Sequence, residues 1–292
     1  MKKRWMGVGL FLFVGVLFLG IFLGVVGSFF MEPPLERGDI ALITIEGPLY
    51  DATSLLKQIE KIRKRDDFKA VVVRIDSPGG TVAASQEVHD AIIELKKNNK
   101  RVVVSMGNVA ASGGYYVAAP ADWIVANPGT ITGSIGVRLE VMNMEELLKL
   151  VRLKQETLKS GQYKDIASST RPMTPEERRM LEGVLKDLHQ QFKEAVQSGR
   201  GLKQEEVDLL ADGRIFTGRA ALEKHLVDEL GSLSVAIDKA AKLGNIIGEP
   251  KVVEPPRERE GFVDYLFGAS IEKVLRKFTL ETKSEILPVF LW

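Results

Sequence analysis

Past residue 38 the chain alternates short apolar runs with amphipathic stretches. Ile40-Ala41-Leu42-Ile43-Thr44-Ile45 reads as a strand, and Ser54 to Lys64 as a helix with Leu55, Ile59 and Ile62 at helical spacing. Ala70-Val71-Val72-Val73-Arg74-Ile75 is a β-branched run of the kind found in strands covered on both faces. A helix follows from Val82 to Lys97, with Val88, Ile92 and Leu95 on one side. Arg101 to Ser105 is the next strand, and Trp123-Ile124-Val125-Ala126 another short one. Strand and helix in this rhythm predict parallel βαβ units and an α/β fold. Two glycine turns, Asp76-Ser77-Pro78-Gly79-Gly80 and Ser112-Gly113-Gly114, fall at the C-terminal ends of adjacent strands. Open α/β sheets place their ligand sites there.

The second half has mostly helical periodicity. Thr174-Pro175-Glu176-Glu177 has the form of a capping box, a hydroxyl cap with proline first and glutamate third, and opens a helix to about Gln197. Shorter helices are predicted over Glu205 to Ala211, Gly218 to Lys224 and Ser232 to Leu243. The linker and C-terminal tail occupy 250–292: Val253-Glu254-Pro255-Pro256 and a charged run lead to the apolar end Ile286-Leu287-Pro288-Val289-Phe290-Leu291-Trp292. Such an end either packs on the body of the protein or docks into a groove or membrane.

The N-terminus has neither period. The 27 positions from Trp5 to Met31 carry no charge, which as a helix spans roughly 40 Å against about 30 Å of bilayer core. A single transmembrane helix over 5–31 is expected, behind a cytoplasmic tip, residues 1–4, whose basic cluster Lys2-Lys3-Arg4 holds that end inside. The remainder is then expected outside the plasma membrane, on the periplasmic or extracellular side. A cleaved signal peptide is the competing reading, since Val25-Val26-Gly27 precedes Ser28, but the apolar run is much longer than a signal core of about 7 to 15 residues.

Composition narrows the chemistry. Forty basic residues against 39 acidic ones leave a net charge of +1, so no basic surplus argues for nucleic acid. With no cysteine, thiolate catalysis and thiolate zinc sites are excluded. Neither a metal nor a cofactor is expected. Ser112 stands at a helix start after a buried strand, where the backbone N–H groups of Gly113 and, from the neighbouring turn, Gly79 can serve a developing oxyanion. A serine nucleophile also needs a base. Only three histidines are present, and His89, His189 and His225 all read as surface residues. A desolvated lysine is the alternative, and pattern alone does not select one among many.

Five motifs do. Asp76-Ser77-Pro78-Gly79-Gly80, Ala111-Ser112-Gly113-Gly114-Tyr115-Tyr116, Thr132-Gly133-Ser134-Ile135-Gly136, Ser160-Gly161-Gln162-Tyr163-Lys164-Asp165 and Gly213-Arg214-Ile215-Phe216-Thr217-Gly218 occur in the order and spacing of signal peptide peptidase A, short bacterial form. The resemblance covers residues 38–245. It implies a fold like the Clp protease and crotonase superfamily: a parallel βαβ sheet core with a helical second half, here preceded by one transmembrane helix. It further implies a Ser/Lys protease domain over 38–245, with Ser112 as nucleophile, Lys164 as general base, Ser134 orienting the lysine, and backbone donors at Gly79 and Gly113.

As for partners, the resemblance implies a membrane-tethered homo-octamer whose sites take serine and lysine from neighbouring subunits. Substrates would be remnant signal peptides and other hydrophobic peptides, and the tail would be a substrate of its own enzyme. Two other readings share parts of this sequence. One is a related membrane serine protease that cleaves a specific membrane-protein partner; the other is a non-proteolytic crotonase-like protein, against which the anchor and the Ser112, Ser134 and Lys164 set argue.

Overall fold

The β-branched runs form the centre of the sheet. In the computed structural model, which describes residues 35–256 and 290–291, β1 (Ile40–Glu46) pairs in parallel with β2 (Ala70–Ser77), Ile40 opposite Ala70. On its other side β2 pairs in parallel with β3 (Arg101–Ala111), Ala70 opposite Arg101. Ala70 to Val73 are buried without interruption, as expected where side chains alternate between two covered faces. Burying each such valine is worth about 1.5–3 kcal/mol. One cover is α8 (Leu233–Leu243), whose Ala236, Ala240 and Ala241 pack on Ile40, Leu42, Ala70, Val72, Val103 and Val125. The helices α1 (Thr53–Arg63) and α2 (Val82–Lys97) bury Ile59 and Ile62, and Val88, Ile92 and Leu95.

The first half of β3 pairs with β4 (Trp123–Ala126) and its second half with β5 (Ile131–Gly133), both in parallel. The main sheet has eight strands in the order β7-β5-β3-β2-β1-β9, with β4 beside β3 and β8 beside β4. Its late members are β7 (Ile215–Thr217), β8 (Glu229–Leu230) and β9 (Val252–Val253). The sheet is therefore mixed, because β7 runs antiparallel to β5, and the helical second half also supplies three strands. An antiparallel edge needs no crossover helix, so it leaves no strand and helix alternation to detect.

β3 runs to Ala111, six residues beyond the strand end expected at Ser105. Ile75 is opposite Met106 but Ser77 is opposite Ala110, so β3 carries an irregularity between them. Asp76 holds it: its carboxylate accepts from Asn108 Nδ2 at 2.7 Å and from the Val109 N–H at 3.1 Å. A side chain at 107 would displace this carboxylate, since a Cβ there would lie 2.8 Å from Asp76 Cγ. The gripped bulge carries the strand up to Ser112.

The helix expected after Thr174 is α5 (Pro175–Arg200), with its capping box formed and its C-cap at Gly201, φ 64°. Between β5 and α5 lie β6 (Arg138–Leu139) and α4 (Glu145–Leu150), and residues 152–173 have neither helix nor strand. β10 (Phe290–Leu291) pairs antiparallel with β6, Phe290 opposite Leu139. Two further helices, α6 (Gln204–Leu210) and α7 (Gly218–Glu223), flank β7. All these elements belong to one compact unit, Glu36–Pro255 with Glu281–Trp292. Among the described residues no helix is long and apolar enough to cross a membrane. The anchor expected over 5–31 lies outside the described residues, as does most of the tail.

Candidate active site

Ser112 links β3 to α3 (Gly113–Ala118) in a conformation that few non-glycine residues adopt, φ 55° and ψ −122°. Such strain persists only where the surroundings over-determine it. Here the Ser112 N–H donates to Gly133 O at 2.8 Å, and Ser112 O accepts from the Tyr116 N–H at 2.9 Å. The residue is 4% exposed. Its hydroxyl makes no hydrogen bond with any described residue. Below it the buried Tyr115 donates to Leu226 O at 2.9 Å, tying α3 to the chain before β8. Burial drives the Tyr115 phenol well above its ordinary pKa.

The two glycine turns meet. Gly79 has φ 105°, and a Cβ there would lie 2.6 Å from Gly113 N and 3.0 Å from Ser112 Cβ. A Cβ on Gly113 would lie 2.4 Å from Ser85 Oγ and 3.1 Å from Gly80 N. The parallel strands β2 and β3 thus bring Gly79, Ser112 and Gly113 into one tight cluster. The Gly79 N–H donates to Ser77 Oγ at 3.1 Å.

A cleft of about 480 Å³ opens at Ser112, lined by Pro78, Ser134, Val137, Arg138, His189 and Asp212 among others. Ser134, φ 53°, is held by its N–H donating to Arg214 O at 2.8 Å. Gly133 has φ 79°, and a Cβ on it would lie 2.6 Å from Phe216 Cδ2, so β7 clamps this turn from the sheet edge. Ser112 and Ser134 therefore share one cleft.

Lys164 does not line it. Its side chain is exposed, within the irregular segment between α4 and α5, and it has no hydrogen-bond or ion-pair partner among the described residues. Its flanks are tied. The Tyr163 hydroxyl donates to Glu176, and the Asp165 carboxylate accepts from Arg171 Nε at 3.0 Å and from Lys159 Nζ at 2.6 Å. The Arg171 hydrogen bond first, then that of Lys159, hold Asp165 well below the usual carboxylate range. Among the described residues no group of three or more His, Asp or Glu side chains is gathered to hold a metal ion.

The model of peptidase family S49 matches residues 94–246 and that of Clp protease residues 39–124. A Synechocystis sp. protein bearing the name of a protease is 44% identical over 220 residues, covering 75% of this chain and 78% of that one. The chain belongs to peptidase family S49. Arabidopsis thaliana has a chloroplastic serine protease SPPA that is 35% identical over 241 residues, covering 80% of this chain and 36% of its own length. An Enterococcus faecium protein bearing the name of signal peptide peptidase SppA is 32% identical over 241 residues, covering 82% of this chain and 70% of that one. A solved ClpP1 mutant of Listeria monocytogenes is similar with a TM-score of 0.46 at 15% identity, over 67% of this chain and 94% of that one.

In this S49 serine peptidase the histidines do not all lie where the pattern of charged neighbours implied. His225 is exposed. His89 is buried, 8% exposed, with its ring 4.8 Å from that of Tyr116 and Nδ1 3.1 Å from Asp90 Oδ1. Desolvation lowers its pKa, and Asp90 opposes that shift only in part. The Tyr116 ring on α3, itself packed against Phe192 of α5, covers the face that its own helix suggests is solvated. His189 stands in the cleft wall, and its Nε2 is buried without a hydrogen-bond partner among the described residues. Nothing in the periodicity of α5 marks it. Asp212 and Gly213 also line the cleft; the signal for Gly213 is the Gly213-Arg214-Ile215-Phe216-Thr217-Gly218 motif, which β7 pairing brings to Ser134, while Asp212 just before it carries none.

Proposed function

We propose that the chain is a membrane-anchored serine endopeptidase with a Ser112/Lys164 dyad completed between neighbouring copies. The uncharged run over 5–31 would be the anchor, with the peptidase unit outside the plasma membrane. In the reaction Ser112 Oγ attacks the scissile carbonyl and its proton passes to the neutral Lys164 Nζ. The Gly79 and Gly113 N–H groups stabilise the oxyanion, Gly79 giving up or sharing its bond to Ser77 Oγ. The lysine then returns the proton to the leaving amine, and water releases the acyl group by the same base. Ser134 would orient the lysine from the cleft wall.

The observation that carries this reading is the strained Ser112 turn, wedged between Gly79 and Gly133 and open to a cleft that Ser134 shares. An exposed Lys164 outside its own chain's cleft favours a base delivered by a second copy. So does the apolar surface of the same region, where Leu150 is 79% and Leu158 91% exposed; the proposed assembly is a homo-octamer. Substrates are proposed to be remnant signal peptides and other hydrophobic peptides, in keeping with the name of the Enterococcus faecium relative. The antiparallel pairing of β10 with β6, beside the cleft residue Arg138, supports an extended peptide as the bound form.

Subunit mixing tests the reading. Ser112→Ala and Lys164→Ala are each expected to be inactive on a hydrophobic peptide, and reassembly of the two together to restore activity. Near-normal activity in Lys164→Ala would overturn the dyad. The unpartnered nitrogen of His189 in the cleft wall favours one competing reading, a histidine base from the same chain. His189→Gln decides between them: loss of activity there, with Lys164→Ala active, selects the histidine.

A further inference from the structure

The segment between α4 and α5 has no regular structure, and residues 157–162 are exposed. Such a stretch moves freely unless specific groups hold it. Here one guanidinium does. Arg171 Nε donates to Asp165 Oδ2 at 3.0 Å and Nη2 to Asp165 O at 3.2 Å, while Nη1 donates to Glu177 Oε2 at 2.9 Å and to Pro172 O at 3.0 Å. Nη2 also reaches Glu177 Oε1, completing a two-pronged contact with that carboxylate. Glu177 is itself buried, 3% exposed, and fixed in the first turn of α5, where it accepts from the Thr174 N–H at 2.9 Å.

The far side of the loop is closed as well. Lys159 Nζ donates to Asp165 Oδ1 at 2.6 Å and to Gln162 O at 2.8 Å. Tyr163 reaches Glu176, the neighbour of Glu177 on the same helical turn. Both residues flanking Lys164 are thus tied to the start of α5, directly or through Arg171. The Lys164 side chain between them stays exposed, with no partner among the described residues.

We infer that Arg171, braced on Glu177, is a positioning residue that fixes the Lys164 loop so that the free amine is presented to a second copy of the chain. This rests on the reading of Lys164 as general base. Proton transfer tolerates little misplacement, and about 1 Å can cost 10²-fold in rate. A loosened loop therefore lowers turnover while leaving the Ser112 cleft and its substrate contacts intact.

The test uses the full chain in its assembled form. In Arg171→Gln, kcat on a hydrophobic peptide is expected to fall roughly 10- to 100-fold with KM within about twofold, and amides of 159–171 to exchange faster. Arg171→Lys keeps the charge but not the fork, and recovers only part of kcat. Glu177→Gln weakens the same brace from the helix side and lowers kcat in the same way.

Mixing separates positioning from misfolding. Arg171→Gln chains reassembled with Ser112→Ala chains are expected to regain activity, because a sound serine then meets a well-held lysine from its neighbour. Failure to regain it, where Ser112→Ala with Lys164→Ala does, means a general structural defect and overturns the inference. Arg171→Gln with kcat within threefold of wild type, alongside an inactive Lys164→Ala, overturns it while leaving the dyad standing. An active Lys164→Ala removes both.

Discussion

Gly79→Ala tests the meeting of the two turns. At φ 105° the backbone lies where side chains are rarely tolerated, which costs about 1–3 kcal/mol. The added methyl would lie 2.6 Å from Gly113 N, 3.0 Å from Ser112 Cβ and 3.2 Å from Ala111 O. Two of these three atoms are backbone, so no rotamer change relieves the clash, and overpacking adds about 1–3 kcal/mol. Both turns are held in place: Gly79 O accepts from the Leu49 N–H at 2.8 Å, and the Ser112 N–H donates to Gly133 O at 2.8 Å. The turns must part by several tenths of an ångström. A total of about 2–6 kcal/mol in a unit of this size lowers Tm by roughly 4–24 °C. Displacing a proposed oxyanion donor lowers kcat by about 10²- to 10³-fold. Thermal melting and peptide kinetics on the purified protein read the two effects separately. Gly129→Ala is the control, since nothing lies within 4 Å of a Cβ there. A Gly79→Ala protein with kcat within threefold of wild type and an unchanged Tm would refute the proposed contact.

Three further outcomes follow from the same geometry. Tyr115→Phe leaves the buried Leu226 carbonyl without its 2.9 Å donor and is expected to cost about 1–2 kcal/mol, read as a lower Tm; an unchanged Tm contradicts the tie. The Arg171 hydrogen bond chiefly, with the Thr174 N–H, holds the Glu177 carboxyl at about 2 against an ordinary 4.5. A depressed carboxylate pKa stabilises the fold fully above the ordinary value and loses that contribution as pH falls through the lowered one. Protection of the 159–177 amides should therefore hold down to about pH 4.5 and decline towards pH 2; loss already at pH 6 contradicts the clamp. If the proposed octamer forms through this face, Leu150→Asp with Leu153→Asp, which places charges on side chains 79% and 62% exposed, is expected to disperse it in sedimentation with the single-chain fold intact. An unchanged assembly removes that face from the interface.

The legibility of the fold follows the length and burial of its elements. β2 and α2 were readable because four consecutive buried residues, Ala70 to Val73, and the buried row Val88, Ile92 and Leu95 satisfy their periods unaided. The capping box at Thr174 was readable because its chemistry is local. Strands β7, β8 and β9 have two or three residues each, too few for a period, and exist because a neighbour offers them a ladder. The upper half of β3 was hidden by Gly107-Asn108, a turn-like dipeptide that continues as strand only because Asp76 reaches across from β2. In the candidate site, Ser112 was singled out by its glycine surroundings. Lys164 had no such mark, since an exposed lysine beside an aspartate is what any solvated loop shows, and only the order of the motifs singled it out.

On the proposed reading, the dyad's two halves are held by different physical means. Ser112 sits on the sheet: its strain is carried by hydrogen bonds to β5 and α3 and by glycines that bar any relaxation, so it persists in the isolated chain. Lys164 rides on charge, a loop tied by Arg171, Asp165 and Glu177 to one helix end. Each piece can therefore be complete in its own chain while proton transfer is absent. A hydroxyl with no base in reach is a weak nucleophile, so a chain not yet assembled would cut nothing. Placing the base on a neighbouring copy would make assembly the step that switches hydrolysis on. That order suits a peptidase whose own Phe290–Leu291 segment pairs with β6, the strand that carries the cleft residue Arg138.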